Sequence, residues 1–237
     1  ALAVCDPAAG QSWIIDCTPA FPQQLALLEK AIPLNGIPGF LLTHAHIGHY
    51  TGLIQLGREV LNAAGAEVYV LEGMKAFLES NLPWKELITE KNIELRSARP
   101  GQAIDLSPAI RVTPHLVPHR DEYSETACFR VEGPTRSLLW LPDVDAWEDM
   151  TPAIEDLISD VDIAFLDGTF FNAEELPGRD LRSIAHPFIE DSIRRFSALP
   201  AVEREKIRFI HLNHSNPAIQ PTSAAARKIE QAGHSIA

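Results

Sequence analysis

Short apolar runs alternate along this chain with segments whose apolar residues recur every three to four positions, the patterns of buried strands and amphipathic helices. Ala1–Cys5 and Trp13–Cys17 read as two strands joined by a turn over Asp6–Gly10, which contains Pro7 and Gly10. Pro19–Ala31 reads as a helix. Pro38 and Gly39 break the chain before a short buried strand, Phe40–Thr43. Thr51–Ala64 has helical spacing and stops at Gly65. Glu67–Leu71 is the next strand and Met74–Ser80 the next helix.

The pattern then changes to five strand-like runs punctuated by Pro, Gly and Ser: Ile93–Arg96, Ala103–Leu106, Ile110–Val117, Thr126–Val131 and Ser137–Leu141. That is the signature of a β-meander. Helical and strand runs resume with Ile154–Ser159, Asp162–Leu166, Phe188–Leu199, Ile207–Leu212 and Ser223–Gln231. Two βα-rich regions around a β-rich middle predict an α/β fold of two packed sheets with helices on both outer faces. The expectation is one domain over residues 1–237. The chain opens inside a strand, so further N-terminal strands upstream belong to that expectation.

Composition narrows the function classes. With 237 residues, 46% of them hydrophobic, the chain can enclose buried polar ligands. A formal net charge of −12, with scattered basic residues, disfavours a nucleic-acid partner. No apolar stretch is long enough to predict a membrane span. Cys5, Cys17 and Cys128 form no CxxC pair and read as free thiols in a reducing compartment. A cytoplasmic location follows, or a periplasmic one if a signal has been removed upstream of Ala1.

Most of the nine histidines lie in three short segments that follow strands. In Leu41-Leu42-Thr43-His44-Ala45-His46-Ile47-Gly48-His49, His44 and His46 are two positions apart, which puts both rings on one side of an extended stretch. Two imidazoles converging from one side can share a cation, and His49 can reach the same cavity from the following turn. His119 follows an apolar strand and is favoured as a ligand over His115, which lies within it. Asp143 follows the end of the strand Ser137–Leu141, in Pro142-Asp143-Val144-Asp145, where a buried carboxylate needs a partner such as a metal. Asp145 is its rival, or else a turn residue capping Trp147–Met150. In Phe209-Ile210-His211-Leu212-Asn213-His214, His214 lies past the expected strand end and is the favoured ligand, while His211 is expected to pack within the strand.

These segments together resemble the metallo-β-lactamase superfamily: a His-rich strand end, a single His, an Asp after a strand and a late His, in that order. More narrowly the chain is similar to the subgroup around pyrroloquinoline quinone biosynthesis protein B, through Val117-Pro118-His119-Arg120-Asp121-Glu122-Tyr123-Ser124, Phe165-Leu166-Asp167-Gly168-Thr169-Phe170-Phe171, His186-Pro187-Phe188 and His211-Leu212-Asn213-His214-Ser215-Asn216-Pro217. The resemblance implies an αββα sandwich with Asp16 as a structural carboxylate near the histidines. It implies a first metal on His44, His46 and His119 with Asp143 bridging, and a second on His49, His214 and Asp143. The superfamily's motif is HxHxDH, and Gly48 stands where its Asp belongs, so the second site is expected to be weak or empty.

Three functions follow. As a hydrolase, the chain would use metal-bound hydroxide, oriented by Asp143, on a small ester, amide or lactam. Zn2+, as one or two ions, suits that chemistry, with Asp143 and His214 as its catalytic residues. As a relative of the narrower subgroup, it would use a single Fe2+ in a non-haem oxygenase acting on a tyrosine-derived precursor. As an inert scaffold it would hold no stoichiometric metal. Asp167 is expected to orient a metal-bound histidine or to be a turn carboxylate, and His186 to line the substrate pocket or cap the following helix. The partner is a small molecule, and a homodimer is the expected assembly.

Overall fold

Apolar side chains at three- and four-residue spacing turn α1 (Phe21–Ala31) into a helix that buries Phe21, Leu25 and Leu28. Pro22 sits in its first turn, where a missing N–H costs nothing. The helix packs on β3 (Gly39–Leu41), where the rings of Phe21 and Phe40 meet edge to face at 5.4 Å. In this computed structural model, which describes residues 1–180 and 184–237, the chain divides into two compact units. One comprises Ala1–Pro114 with Asp121–Ala127, the other His115–Arg120 with Cys128–Ala237.

The first unit carries a five-stranded sheet in the order β1-β2-β3-β4-β5, formed by β1 (Leu2–Asp6), β2 (Gln11–Ile15), β3, β4 (Ala66–Val70) and β5 (Ile93–Ser97). Only the β1–β2 pair is antiparallel. Helices α1, α2 (Ile47–Tyr50), α3 (Glu72–Ser80) and α4 (Trp84–Thr89) belong to the same unit. Its core gathers Phe21, Phe40, Leu42, Leu53, Val68, Met74 and Leu78. A short strand, β6 (Ile104–Ser107), pairs antiparallel with the start of β7 (Ile110–Val117).

The second unit's sheet runs β12-β11-β10-β9-β8-β7, with β8 (Thr126–Glu132), β9 (Ser137–Leu141), β10 (Ile163–Asp167), β11 (Ile207–Ile210) and β12 (Ser235–Ile236). β9, β10, β11 and β12 are mutually parallel. Helices α5 (Ile154–Ser159), α6 (Ile189–Phe196), α7 (Ala201–Arg204) and α8 (Ala224–Gln231) complete the unit. Its core contains Leu139, Leu141, Trp147, Ile154, Leu166, Phe171, Phe196, Phe209 and Ile229. Burial raises the thiols of Cys17 and Cys128, the latter to about 12, so neither is a nucleophile. No helix among the described residues is long and apolar enough to cross a membrane.

Three expectations change. β5 is not part of the meander but lies parallel to β4 in the first sheet. The helix expected over Thr51–Ala64 is a 3₁₀ segment over Thr51–Leu56 followed by turns. Leu53 and Leu56 are both buried, and their three-residue spacing suits a 3₁₀ helix as well as an α-helix. The strand expected over Ile207–Leu212 ends at Ile210, because His211 adopts a left-handed backbone with φ of 62°.

Candidate metal centre

In both units, chemistry gathers where parallel strands end. In the first, β2 runs into Asp16, β3 runs into Thr43 and His44, and α2 carries His49. Asp16 takes φ of 64° and is buried. Its Oδ1 accepts from the Thr43 backbone N–H at 2.9 Å and the Thr43 hydroxyl at 2.8 Å. Its Oδ2 accepts from His49 Nδ1 at 2.8 Å. Burial pushes the Asp16 carboxyl up, but His49 and the Thr43 N–H more than offset this and hold it below the usual carboxylate range. α2 is anchored by Cys17 N–H to His49 C=O (2.8 Å) and Gly52 N–H to Cys17 C=O (2.9 Å). A Cβ on Gly52 would lie 2.1 Å from the Thr18 carbonyl, so that approach requires glycine.

These bonds fix histidine tautomers. The single Thr43 hydroxyl proton goes to Asp16, so Thr43 Oγ1 accepts from His44 Nδ1–H at 2.9 Å. His44 Nε2 is therefore the unprotonated nitrogen. His46 Nε2 faces the Glu122 carboxylate at 3.1 Å and carries the proton, which leaves the lone pair on Nδ1. His44 Nε2 and His46 Nδ1 are 2.8 Å apart. Two ring nitrogens that close share either a proton or a metal cation, so these donors fit a metal ion. The loop carrying Glu122 is held by the Ala45 N–H to Ser124 Oγ bond at 3.0 Å. Gly48 is exposed, and a Cβ there would meet nothing within 4 Å.

In the second unit, β9 runs into buried Asp143, β10 ends at buried Asp167 and β11 runs into His211. His119 is buried, and its Nδ1 donates to Asp145 Oδ1 at 2.8 Å. That directs its Nε2 toward Asp143 Oδ1, 3.9 Å away. Asp167 Oδ1 accepts from the Thr169 N–H at 2.9 Å and the Thr169 hydroxyl at 2.7 Å. Its Oδ2 accepts from His186 Nδ1 at 2.7 Å and Val144 N–H at 3.1 Å. Thr169 Oγ1 accepts from His211 Nδ1 at 2.9 Å, and His211 Nδ1 lies 3.7 Å from Asp143 Oδ1. Burial pushes the Asp167 carboxyl up, yet His186 and His211 outweigh it and hold the group low. Burial lowers His186, but Asp167 outweighs it and raises the ring above its ordinary value. Asn216 fixes the turn by donating to the Gly168 and Thr169 carbonyls at 2.9 and 3.2 Å.

Within their own units, His44, His46 and His49 come together with Asp16, and His119 and Asp143 come together with Asp167 and His186. His214 does not join them. It is exposed in the loop after β11, and His211 stands beside Asp143 instead, because the chain leaves the strand two residues earlier than the apolar pattern implies. Asp145 takes a role beyond the two expected of it, since it orients His119. Sequence reasoning missed the roles of Thr43, Thr169 and Glu122. Hydroxyls adjacent to His44 and two residues after Asp167 were the available signal. Trp147 is core, with its Nε1 donating to Ser192. His115 lies in β7, and burial lowers its pKa.

A family model described as a beta-lactamase superfamily domain matches residues 12–233. Coenzyme PQQ synthesis protein B of Bradyrhizobium diazoefficiens is 23% identical over 259 residues, covering 96% of this chain and 82% of its own. The crystal structure of Zn2+-bound PqqB from Methylobacterium extorquens superposes with a TM-score of 0.81 at 19% identity, over 99% of this chain and 83% of that one. A diphosphatase of the PhnP family superposes with a TM-score of 0.68 at 22% identity, over 96% and 77%. The fold shared with these structures is the metallo-β-lactamase fold.

Proposed function

The chain belongs to the family of beta-lactamase superfamily domains, and from that premise we propose that it is a metal-dependent hydrolase of a small ester, amide or lactam. In the first unit the candidate ligands are His44, His46 and His49, and in the second, considered by itself, they are His119, Asp143 and His211. The observation that carries this reading is the convergence of His44 Nε2 and His46 Nδ1 to 2.8 Å, with His49 beside them. A bound divalent ion supplies Lewis acidity and lowers the pKa of a water ligand to about 7.

The chain's own groups do the rest. Asp16, Glu122 and Asp145 hold the protons on the outward nitrogens of His49, His46 and His119, so their inner nitrogens stay available as ligands. Asp143, buried and acceptor-only when ionised, supplies negative charge to offset a cation and an oxygen that can orient a water.

A second reading, a non-haem iron oxygenase, is favoured by Gly48. That residue puts no carboxylate where the superfamily motif has one. Metal analysis of protein purified without added metal separates the readings. The expected result is zinc or another redox-inert divalent ion, with ester or lactam turnover that a chelator removes. Stoichiometric iron with O2-dependent turnover would overturn hydrolysis in favour of the second reading. His46→Ala should lose the bound metal while keeping its circular-dichroism spectrum. Full metal content in that variant would remove the assignment.

A further inference from the structure

The two units contain the same hydrogen-bond constellation, built from differently connected segments. In the first, Thr43 follows β3, Asp16 follows β2, and the imidazoles are His44 and His49. In the second, Thr169 lies two residues beyond Asp167, past the end of β10, and the imidazoles are His211 and His186. Threonine N–H to carboxylate is 2.9 Å in both. Threonine hydroxyl to the same oxygen is 2.8 and 2.7 Å, and His49 or His186 Nδ1 to the other oxygen is 2.8 and 2.7 Å. His44 and His211 Nδ1 lie 2.9 Å from their threonine hydroxyls, and His49 and His186 Nδ1 lie 3.3 Å from theirs. No corresponding distance differs by more than 0.1 Å, although the segments share no sequence repeat.

The constellation has one chemical result. The threonine proton is committed to the carboxylate, so both imidazoles carry their protons on Nδ1 and keep the Nε2 lone pairs for something else. In the first unit that serves the histidines already assigned to a metal. In the second it places His186, outside the family's motif, in the position that His49 occupies in the first.

Geometry adds a second, independent observation. Ligand atoms of His119, Asp143 and His186 all lie within 4.8 Å of one another. The His119 and His186 rings have centroids 5.4 Å apart. Two imidazoles on one tetrahedral ion, with metal–nitrogen distances of about 2.0–2.1 Å, have ring centres roughly 5–6 Å apart. Each ring also has its own orienting carboxylate, Asp145 for His119 and Asp167 for His186.

We propose that His186 is a metal ligand, and that His119, Asp143 and His186 form a three-ligand cation site contained within the second unit. Such a site takes a borderline divalent ion such as Zn2+ or Co2+ and keeps at least one position open. It obtains a third protein ligand from the chain after β10, so it does not depend on a carboxylate at position 48. The proposal rests on the reading of this chain as a metal protein and adds a ligand to it.

The test uses the full chain, stripped of metal and titrated with Co2+, as wild type and as His186→Gln. The glutamine amide keeps a donor toward Asp167, and circular dichroism checks the fold. Proton NMR of the Co2+ form counts the ligating imidazoles, because each one bound through Nε2 shows one shifted, exchangeable Nδ1–H resonance. His186→Gln is expected to lose one such resonance and to bind the affected Co2+ at least 10-fold more weakly. Asp167→Asn is expected to weaken it about 10–100-fold with the resonance count unchanged. A His186→Gln protein with the wild-type resonance count and affinity overturns the proposal while leaving the metal reading intact. Wild-type protein that binds no Co2+ overturns the metal reading itself.

Discussion

At the scale of single residues, the donors are defined less by themselves than by what holds them. Asp145→Asn keeps the size of the group that orients His119 but removes its charge and offers an N–H to the same nitrogen. Metal affinity should fall about 10–100-fold, measured by competition with a chromophoric chelator. Glu122→Gln should cost less, because Glu122 is half-exposed and water can take its place beside His46. Gly48→Asp tests the departure from the superfamily motif. The site is exposed with nothing within 4 Å, so thermal stability should stay within about 0.5 kcal/mol. Metal analysis should show greater total occupancy, and an unchanged stoichiometry would mean that position 48 does not face the ligands. The histidine pattern made His44, His46, His49 and His119 legible because alternation and strand ends are sequence signals. His211 was not, because a single residue at φ of 62° moved the end of β11, and no apolar pattern records a backbone dihedral. Glu122 and the threonines were equally hidden, since their partners are distant in the chain or of a common residue type.

At the scale of elements, the sequence located the strands well where they are short and apolar, as in β3 and β10. It failed where two structures satisfy one pattern. Leu53 and Leu56 suit both helix types, and the long helix was an extrapolation from that spacing. β5 has the alternation of a meander strand, but its partner is β4, and pairing is a tertiary fact. α2 is only four residues long, and backbone bonds to Cys17 place it rather than its own helical stability. Gly52→Ala therefore forces a Cβ against the Thr18 carbonyl. It should destabilise the fold by about 1–3 kcal/mol, read as a lowered midpoint in urea denaturation. Because His49 lies just ahead of Gly52, at the end of the preceding helix, metal affinity should fall as well. Loss of stability with unchanged affinity would show that α2 is held by other contacts.

At the scale of the whole molecule, each unit has its own apolar core and its own carboxylate–hydroxyl–imidazole constellation. Stability away from the site includes a bidentate pair, Arg195 Nε and Nη2 to Glu155 at 2.7 and 3.1 Å, which joins α6 to α5. Burial raises Glu155, but Arg195 outweighs it and holds the carboxyl below its ordinary value. A depressed carboxyl contributes stability above its unfolded pKa of about 4.3 and loses it as pH falls through the folded value. Glu155→Gln should then cost under about 1 kcal/mol at pH 7, and the difference should vanish in acid, as measured by chemical denaturation across pH. A deficit that persists at low pH would point to packing instead. The constellations carry a wider consequence. Because threonine and aspartate have already turned the rings, a vacant protein has little reorganising left to do when a cation arrives. Selectivity among divalent elements then rests on the type of ligand and on the geometry that these bonds hold in place, more than on affinity order.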